Sequence, residues 1–458
     1  MFRTLFAPTD MTEGSPWKKI LIFTVPMIIG NIAQQLYNTV DSIVVGKYIG
    51  DNALAAVGSA NPVLNMLLAL FIGISSGTGI MVSQYFGAKN RKALSYTVGN
   101  CITAAFFSYL LLLAVCAPVL KSLLVMLNTP QSILQDCYEY LMISLIGFFG
   151  VAYYNILGGI LRGLGDSASS LVYLLIATAI NIVLDIYFVA KLEMGVAGVA
   201  LATVIAQVVS SALCLLKLVR MREHFDFGWK YLLPSPHYLK TLVRLGLPSG
   251  LTQAIFSSAM IVVQSLTNQF GEQFIAANVV IMRVDGFAMM PNFSFGTALT
   301  TFAGQNVGAG KMDRVFRGAK QGTLMAVICS ASITGVILLF GKSLMGVFTD
   351  TVDLVNLSYY LMKILAVGYI AVAVTQSLSG IMRGAGDTLT PMWISLVTTV
   401  LVRVPVAYAI SYFTRSEALP IGRSECIQIS LLCTWVMGAV ITFFFYRLGK
   451  WKNKAIRQ

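Results

Sequence analysis

The sequence predicts an all-α integral membrane protein: twelve transmembrane helices in two six-helix bundles related by a pseudo-two-fold axis along the membrane normal. Three observations predict it. The 458-residue chain is 57% hydrophobic and 11% charged, whereas soluble domains carry about 25% charged residues. Apolar stretches recur along the chain, each matching the about 20 residues that a membrane helix needs. An internal repeat maps one half of the chain onto the other.

The apolar stretches run over 17–45, 53–83, 93–117, 132–158, 168–190, 195–218, 241–269, 274–304, 314–340, 354–379, 389–412 and 427–446. Short breaks rich in Gly, Pro, Asn or charge separate them. The first stretch is too long for a signal-peptide core and is expected to remain as a membrane helix. It follows Lys18 and Lys19, contains Pro26, where a helix can bend, and meets no further charge until Asp41. Gly30, Gln34, Tyr37 and Asp41 fall on one face at helical spacing. A charge at bilayer depth costs about 2.5–3.5 kcal/mol on insertion scales, so Asp41 is a functional candidate.

Two later spans carry similar stripes. Thr178, Asn181 and Asp185 share a face of the fifth, and Thr203, Gln207 and Ser210 a face of the sixth. Lipid cannot satisfy such groups, so these three helices are expected to face one another. On the eighth span Asn278, Met282, Asp285, Met289 and Asn292 share a face. Arg283, Lys363 and Arg403 also lie within spans.

The repeat is explicit. Residues 151–166, VAYYNILGGILRGLGD, match 372–387, VAVTQSLSGIMRGAGD, at an offset of 221. Gln84 with Gly87 and Ala88 matches Gln305 with Gly308 and Ala309 at the same offset, and Pro26 matches Pro248 at 222. Six spans per half give both halves one orientation, the parallel kind of repeat. The expected organisation is an N-lobe over 1–218 (helices 1–6), a cytoplasmic loop over 219–240, and a C-lobe over 241–458 (helices 7–12). The paired RG(L/A)GD segments read as helix–helix turns, permitted by Gly163, Gly165, Gly384 and Gly386, with Arg162 and Arg383 facing the cytoplasm. A phosphate loop is disfavoured, because no strand precedes them and no Lys-Ser/Thr follows.

The net charge of +13 is explained by orientation and does not call for nucleic acid. With a cytoplasmic N-terminus, 23 of the 32 basic residues fall on inside segments and three within spans. That asymmetry puts both termini in the cytoplasm. The seven cysteines include no CxxC and the two histidines have no metal-ligand spacing, so no disulfide framework or metal chemistry is expected.

Four stretches, taken together, are specific: PMIIGNIAQQLYNTVDSIVVGKYIGDNALAAVG (26–58), SQYFGAKNRKA (83–93), the paired ILRGLGD and IMRGAGD turns, and AGQNVGAGK (303–311). With them the chain resembles the MATE family of multidrug and toxic-compound extrusion transporters, in its prokaryotic DinF-like branch, over nearly its whole length. The resemblance implies two six-helix lobes around a central cleft. It implies a secondary active antiporter, not an enzyme, that exports cationic or amphipathic organic compounds in exchange for H+ or Na+ by rocking-type alternating access. It also implies a monomer in the prokaryotic cell membrane with no cofactor beyond the coupling ion.

The ion cluster of that branch lands here on Asp41, Asn181, Asp185 and Thr203. Two carboxylates close together in low dielectric cannot both stay ionised cheaply. Such a pair suits a proton, or Na+ with oxygen ligands from Asn181 and Thr203. Substrate contacts are expected from Gln34, Tyr37, Tyr154 and Asn155 in the N-lobe and from Gln253, Met260, Met282, Asp285 and Met289 in the C-lobe, with Pro26 as the hinge. Another branch of the family carries acids in the seventh and tenth spans. This sequence has none there, so a C-lobe cation site of that kind is not expected. The alternative is a flippase for a lipid-linked oligosaccharide or cell-wall precursor, because related superfamilies share the six-plus-six bundle. A flippase should line its cavity with several Arg or Lys to meet pyrophosphate.

Overall fold

The computed structural model describes residues 8–126, 129–417 and 419–456; the side chains at 38, 40–43, 51–52 and 54–55, Asp41 among them, lie outside the described set. Twelve helical spans run in order: α1 (Pro16–Tyr48), α2 (Asp51–Gly87), α3 (Arg91–Met126), α4 (Gln131–Gly163), α5 (Ser167–Ile186) and α6 (Gly195–Arg220), then α7 (Pro236–Gln269), α8 (Glu272–Gly308) and α9 (Met312–Gly346). α10 is a pair, Val352–Ala366 and Gly368–Gly384, bent by 44°. α11 joins Leu389–Leu396, a π-helical stretch Val397–Arg403, and Val404–Phe413, and α12 is Cys426–Leu448. Among the described residues there is no strand, only an isolated bridge pairing Ser416 with Leu419.

Eleven of these helices are long and apolar enough to cross a membrane, and the bent pair makes a twelfth. Every stretch expected from the sequence is present. The helices run several residues past the apolar runs, because backbone hydrogen bonding continues into the polar flanking turns. Leu111, Ile261 and Leu339 stay 67%, 71% and 79% exposed. Apolar side chains that open, spread over several helices, suit hydrocarbon and not water.

Contacts divide the chain into two compact units. One holds Val25–Gly250 and the described residues before Met11; the other holds Met11–Thr24 and Leu251–Gln458. The division therefore falls inside α1 and α7, next to Pro26 and Pro248. The first unit has a core that includes Val45, Ala56, Leu124, Cys137, Leu141 and Val199. The second has one that includes Leu266, Ala277, Leu361, Tyr369, Ala407 and Trp435.

The repeat reaches the level of individual contacts. In the first unit a Cβ on Gly159 would meet Ser75 O at 2.8 Å, and one on Gly163 would meet Gly79 O at 2.9 Å. At the equivalent positions of the second, a Cβ on Gly380 would run into Gly296 O, and one on Gly384 into Thr300 O. So α4 lies backbone-to-backbone on α2, and α10 lies the same way on α8. Small residues permit that approach in membrane helices.

The turns repeat as well. Asp166 N–H donates to Leu161 O at 2.9 Å, and Asp387 N–H to Met382 O at 2.9 Å. These are the long bonds of a Schellman turn, which needs a left-handed residue. Gly165 (φ 88°) and Gly386 (φ 96°) supply it. Gly163 and Gly384 do not: they are the last helical residues, and their role is the close crossing just described. Asp166 then caps α5, accepting from Ser169 N–H at 2.9 Å and Ser169 Oγ at 2.6 Å. Asp387 accepts from Thr390 in the same way, at 3.2 and 2.8 Å. Arg162 is half-buried and donates to Ser75 Oγ at 3.2 Å. It turns back into its unit instead of out to solvent.

Two arginines strap the chain, one where it enters α1 and one where it leaves α6. Arg314 donates to the carbonyls of Met11 (3.0 Å), Glu13 (2.8 Å) and Gly14 (2.6 Å). Gln305 and Asn306 hold Met11 from the same unit. Arg91 donates to the carbonyls of Arg222 (2.7 Å) and Glu223 (2.8 Å) and to Asp226 Oδ1. That hydrogen bond holds the Asp226 carboxyl below the usual carboxylate range. The polar loop over 219–240 is thus tied down along its length, with Asn100 and Thr103 binding Ser235 and Leu232.

Gly380→Ala should lower stability by about 1–3 kcal/mol, the cost of overpacking, read as a lower melting temperature in detergent. Gly335→Ala, with nothing within 4 Å of its added Cβ, should not. Arg314→Ala should speed exchange of the Met11 amide, which donates to Gln305 Oε1 at 2.8 Å, by about ten-fold, as expected when a local opening becomes about 1.4 kcal/mol easier. Arg317→Ala, on the exposed side of the same helix, should leave it unchanged.

Candidate functional site

In the first unit, α1, α5 and α6 bring their polar stripes together. Tyr37 Oη lies 3.2 Å from Thr203 Oγ1, and the Asn181 amide lies 3.3 Å from the same oxygen. The Asn181 amide is satisfied on both sides when its nitrogen faces Asp185: Nδ2 then donates to Asp185 Oδ2 at 2.9 Å, and its oxygen accepts from Thr203 N–H at 3.3 Å. Asp185 and Asn181 are 0% and 1% exposed, and Tyr37 is 9% exposed. The helical spacing dictates this. Asn181 and Asp185 stand one turn apart on α5, and the Asp166 cap fixes where that helix starts. Asp185 is a buried carboxyl oriented by an amide. A carboxyl so placed can hold a proton, or serve a hard cation among oxygen donors.

Three of the four expected coupling residues, Asn181, Asp185 and Thr203, therefore meet. The fourth, Asp41, lies one turn beyond Tyr37 on α1, and its side chain is outside the described residues. Tyr37, expected among the substrate contacts, is bonded into this cluster. Gln34 is half-buried, one turn before Asn38. Tyr154 donates to Ser170 O at 3.3 Å, Asn155 Nδ2 donates to Val151 O at 2.9 Å, and the Asn155 carbonyl accepts from Ser75. These bonds tie Tyr154 and Asn155 into the packing of their own unit.

The second unit holds a different cluster. Asp285 Oδ1 accepts from Tyr369 Oη at 2.8 Å. Tyr369 is fully buried, with its ring 5.5 Å from Trp435. Its carbonyl accepts from Asn292, whose oxygen accepts from Ser330 Oγ at 2.7 Å. Gln428 donates to Asn278 at 3.3 Å. Of the other expected contacts, Gln253, Met260 and Met282 are exposed and Met289 packs against the core. Arg403 is 4% exposed, and both its terminal nitrogens meet Met260 Sδ, at 3.3 and 3.4 Å. Lys363 Nζ lies over the rings of Tyr359 and Tyr360.

Sequence reasoning did not find Tyr369 as the partner of Asp285, because nothing in spacing links residues so far apart on two helices. Arg403 is marked by being a charge within a span, but its contact with the Met260 sulfur is not legible from spacing.

The MatE family model matches this chain over residues 26–188 and 248–409. Each match begins at one of the paired prolines. A Bacillus subtilis (strain 168) protein named probable multidrug resistance protein YoeA is 29% identical over 455 residues, covering 97% of this chain and 96% of its own length. A Thermotoga maritima protein named probable multidrug resistance protein NorM is 26% identical over 452 residues, covering 96% of this chain and 94% of its own. A solved structure described as MATE in the bent conformation has a TM-score of 0.89 at 25% identity, covering 96% of both chains. The chain belongs to the MatE family and is a multi-pass membrane transporter.

Proposed function

We propose that this transporter exports cationic or amphipathic organic compounds, drugs or toxins, as a secondary antiporter driven by H+ or Na+. Relatives named as multidrug resistance proteins support the substrate class. One observation carries the coupling half: the buried Tyr37, Thr203, Asn181 and Asp185 cluster within one unit, one helical turn from Asp41. Asp41 and Asp185 are the exchanging acids, and Asn181 and Thr203 supply oxygen. The membrane potential contributes about 2.3 kcal/mol per charge per 100 mV.

Ion binding favours one bend of α1 at Pro26. The lobes over 1–218 and 241–458 rock in alternating access, joined by 219–240. Gln34, Tyr37, Tyr154 and Asn155 on one lobe, and Gln253, Met260, Met282, Asp285 and Met289 on the other, are the residues offered for substrate. The protein works as a monomer in the cell membrane with both termini cytoplasmic, as the distribution of Lys and Arg supports.

Ethidium export from proteoliposomes under imposed pH or Na+ gradients tests this. Asp41→Asn and Asp185→Asn should each reduce gradient-driven export to the leak rate, with the melting temperature retained. The gradient that drives the wild type identifies the ion. Undiminished export in both variants rejects the coupling site. A single cysteine placed within 219–240 of a cysteine-free chain should resist an impermeant maleimide applied from outside intact cells; rapid labelling reverses the topology.

A further inference from the structure

Arg403 is a buried cation without an adequate acceptor. It closes the π-helical stretch of α11, a local widening that recurs at functional sites. Its two terminal nitrogens share one thioether sulfur, and its Nε has no partner among the described residues. A thioether is a weak acceptor, whereas a guanidinium offers five N–H donors in a fork that fits a carboxylate. One turn earlier on the same helix, Thr399 is 1% exposed and its hydroxyl also has no partner among the described residues. Two unmet polar groups on adjacent turns are costly in a low-dielectric setting unless something meets them.

Asp285 does not meet Arg403. The two charges interact, but no ion pair joins them among the described residues; Asp285 Oδ1 accepts from Tyr369, which leaves the carboxylate acceptor capacity for a further donor. The cluster therefore presents an unfilled anion position beside a held carboxylate. Met260, which covers the guanidinium, is unbranched and 39% exposed, so it can swing aside. Met282, also exposed, lies one turn before Asp285 on its helix.

We propose that Arg403, with Thr399, binds the carboxylate of cargo that also carries a positive charge, and that Asp285 receives the positive end. The second unit thus selects zwitterionic amphipathic compounds over simple cations. The biological sense of this site rests on the export function proposed for the chain, but its test is a binding measurement that does not need export.

The probes are rhodamine B, an aromatic cation bearing a carboxylate, and its ethyl ester, which keeps the dye and hides the acid. Fluorescence anisotropy with the full chain in lipid nanodiscs reads both. The wild type should bind the acid about ten-fold more tightly than the ester, in line with a charge-assisted fork. Arg403→Gln should bring the acid down to the ester and leave the ester within about two-fold. Arg403→Lys, which keeps charge without the fork, should fall between, and it covers the case in which the glutamine variant does not fold.

Equal binding of acid and ester by the wild type, binding of neither, or an unchanged ratio in the folded variants overturns the assignment. The two readings fail separately. Ethidium driven out by a gradient with no acid preference sinks only the anion site. An acid preference without any gradient-driven export sinks only the antiport.

Discussion

Backbone meets backbone where α4 crosses α2 and where α10 crosses α8, and each unit is arranged around that contact. Lipid provides no hydrophobic drive between helices, so close approach and dispersion must supply the cohesion. Gly159 and Gly163 allow it in one unit, Gly380 and Gly384 in the other. The contact also fixes the helix that comes next in each unit. Gly163 and Gly384 are the last residues of their helices, so the Schellman turn and the aspartate cap start α5 and α11 from a position set by the crossing. α5 carries Asn181 and Asp185, and α11 carries Arg403. A polar side chain deep in either helix inherits its depth from that glycine contact.

The scaffold repeats and the chemistry does not. At the offset of 221, Asn181 and Asp185 correspond to Val402 and Val406, Arg403 corresponds to Ile182, and Asp285 to Leu64. Each half thus kept the glycines and caps that build it and acquired its own charged residues at positions that do not correspond. One unit holds an acid oriented by an amide and a hydroxyl. The other holds an acid bound to a tyrosine, with a guanidinium nearby. Polar groups at these depths are expensive, so two unlike clusters on one repeated frame argue for two different tasks.

Much of the frame is legible in the sequence because it is written in composition and in glycine. The twelve apolar stretches, the paired turns and the repeat all need only local patterns. The stripes on the first, fifth and sixth spans were also enough to bring Asn181, Asp185 and Thr203 together, since few helices in a bundle can satisfy such groups. Other features leave no local trace. Arg91 and Arg314 bind backbone carbonyls, which every residue possesses, so nothing in their partners' sequence marks the straps. The 219–240 stretch reads as a polar linker and is strapped along its length instead. The separate tasks of Gly163 and Gly165 look identical in a motif and differ only in φ and in what stands about 3 Å away. The pairing of Asp285 with Tyr369 depends on how α10 is bent, which the apolar run over 354–379 does not disclose.

The first helix is where these constraints meet. Its entry is held by Arg314, Gln305 and Asn306 at Met11–Gly14, and Tyr37 is held at Thr203. A helix restrained at two places can answer a change at one of them only by deforming between them. Pro26 lies in that interval and removes the hydrogen bond to Ile22 O. Thr24, fully buried, bonds back to Ile20 O at 2.7 Å, an arrangement that bends helices. The grouping of contacts changes between Thr24 and Val25. In the proposed cycle, a proton or ion that rearranges Asn181, Thr203 and Asp185 acts on Tyr37, and the strain returns along α1 to the weakest point of its ladder. In that cycle, where the helix is held directs the deformation to residues 22–26, whichever ion binds.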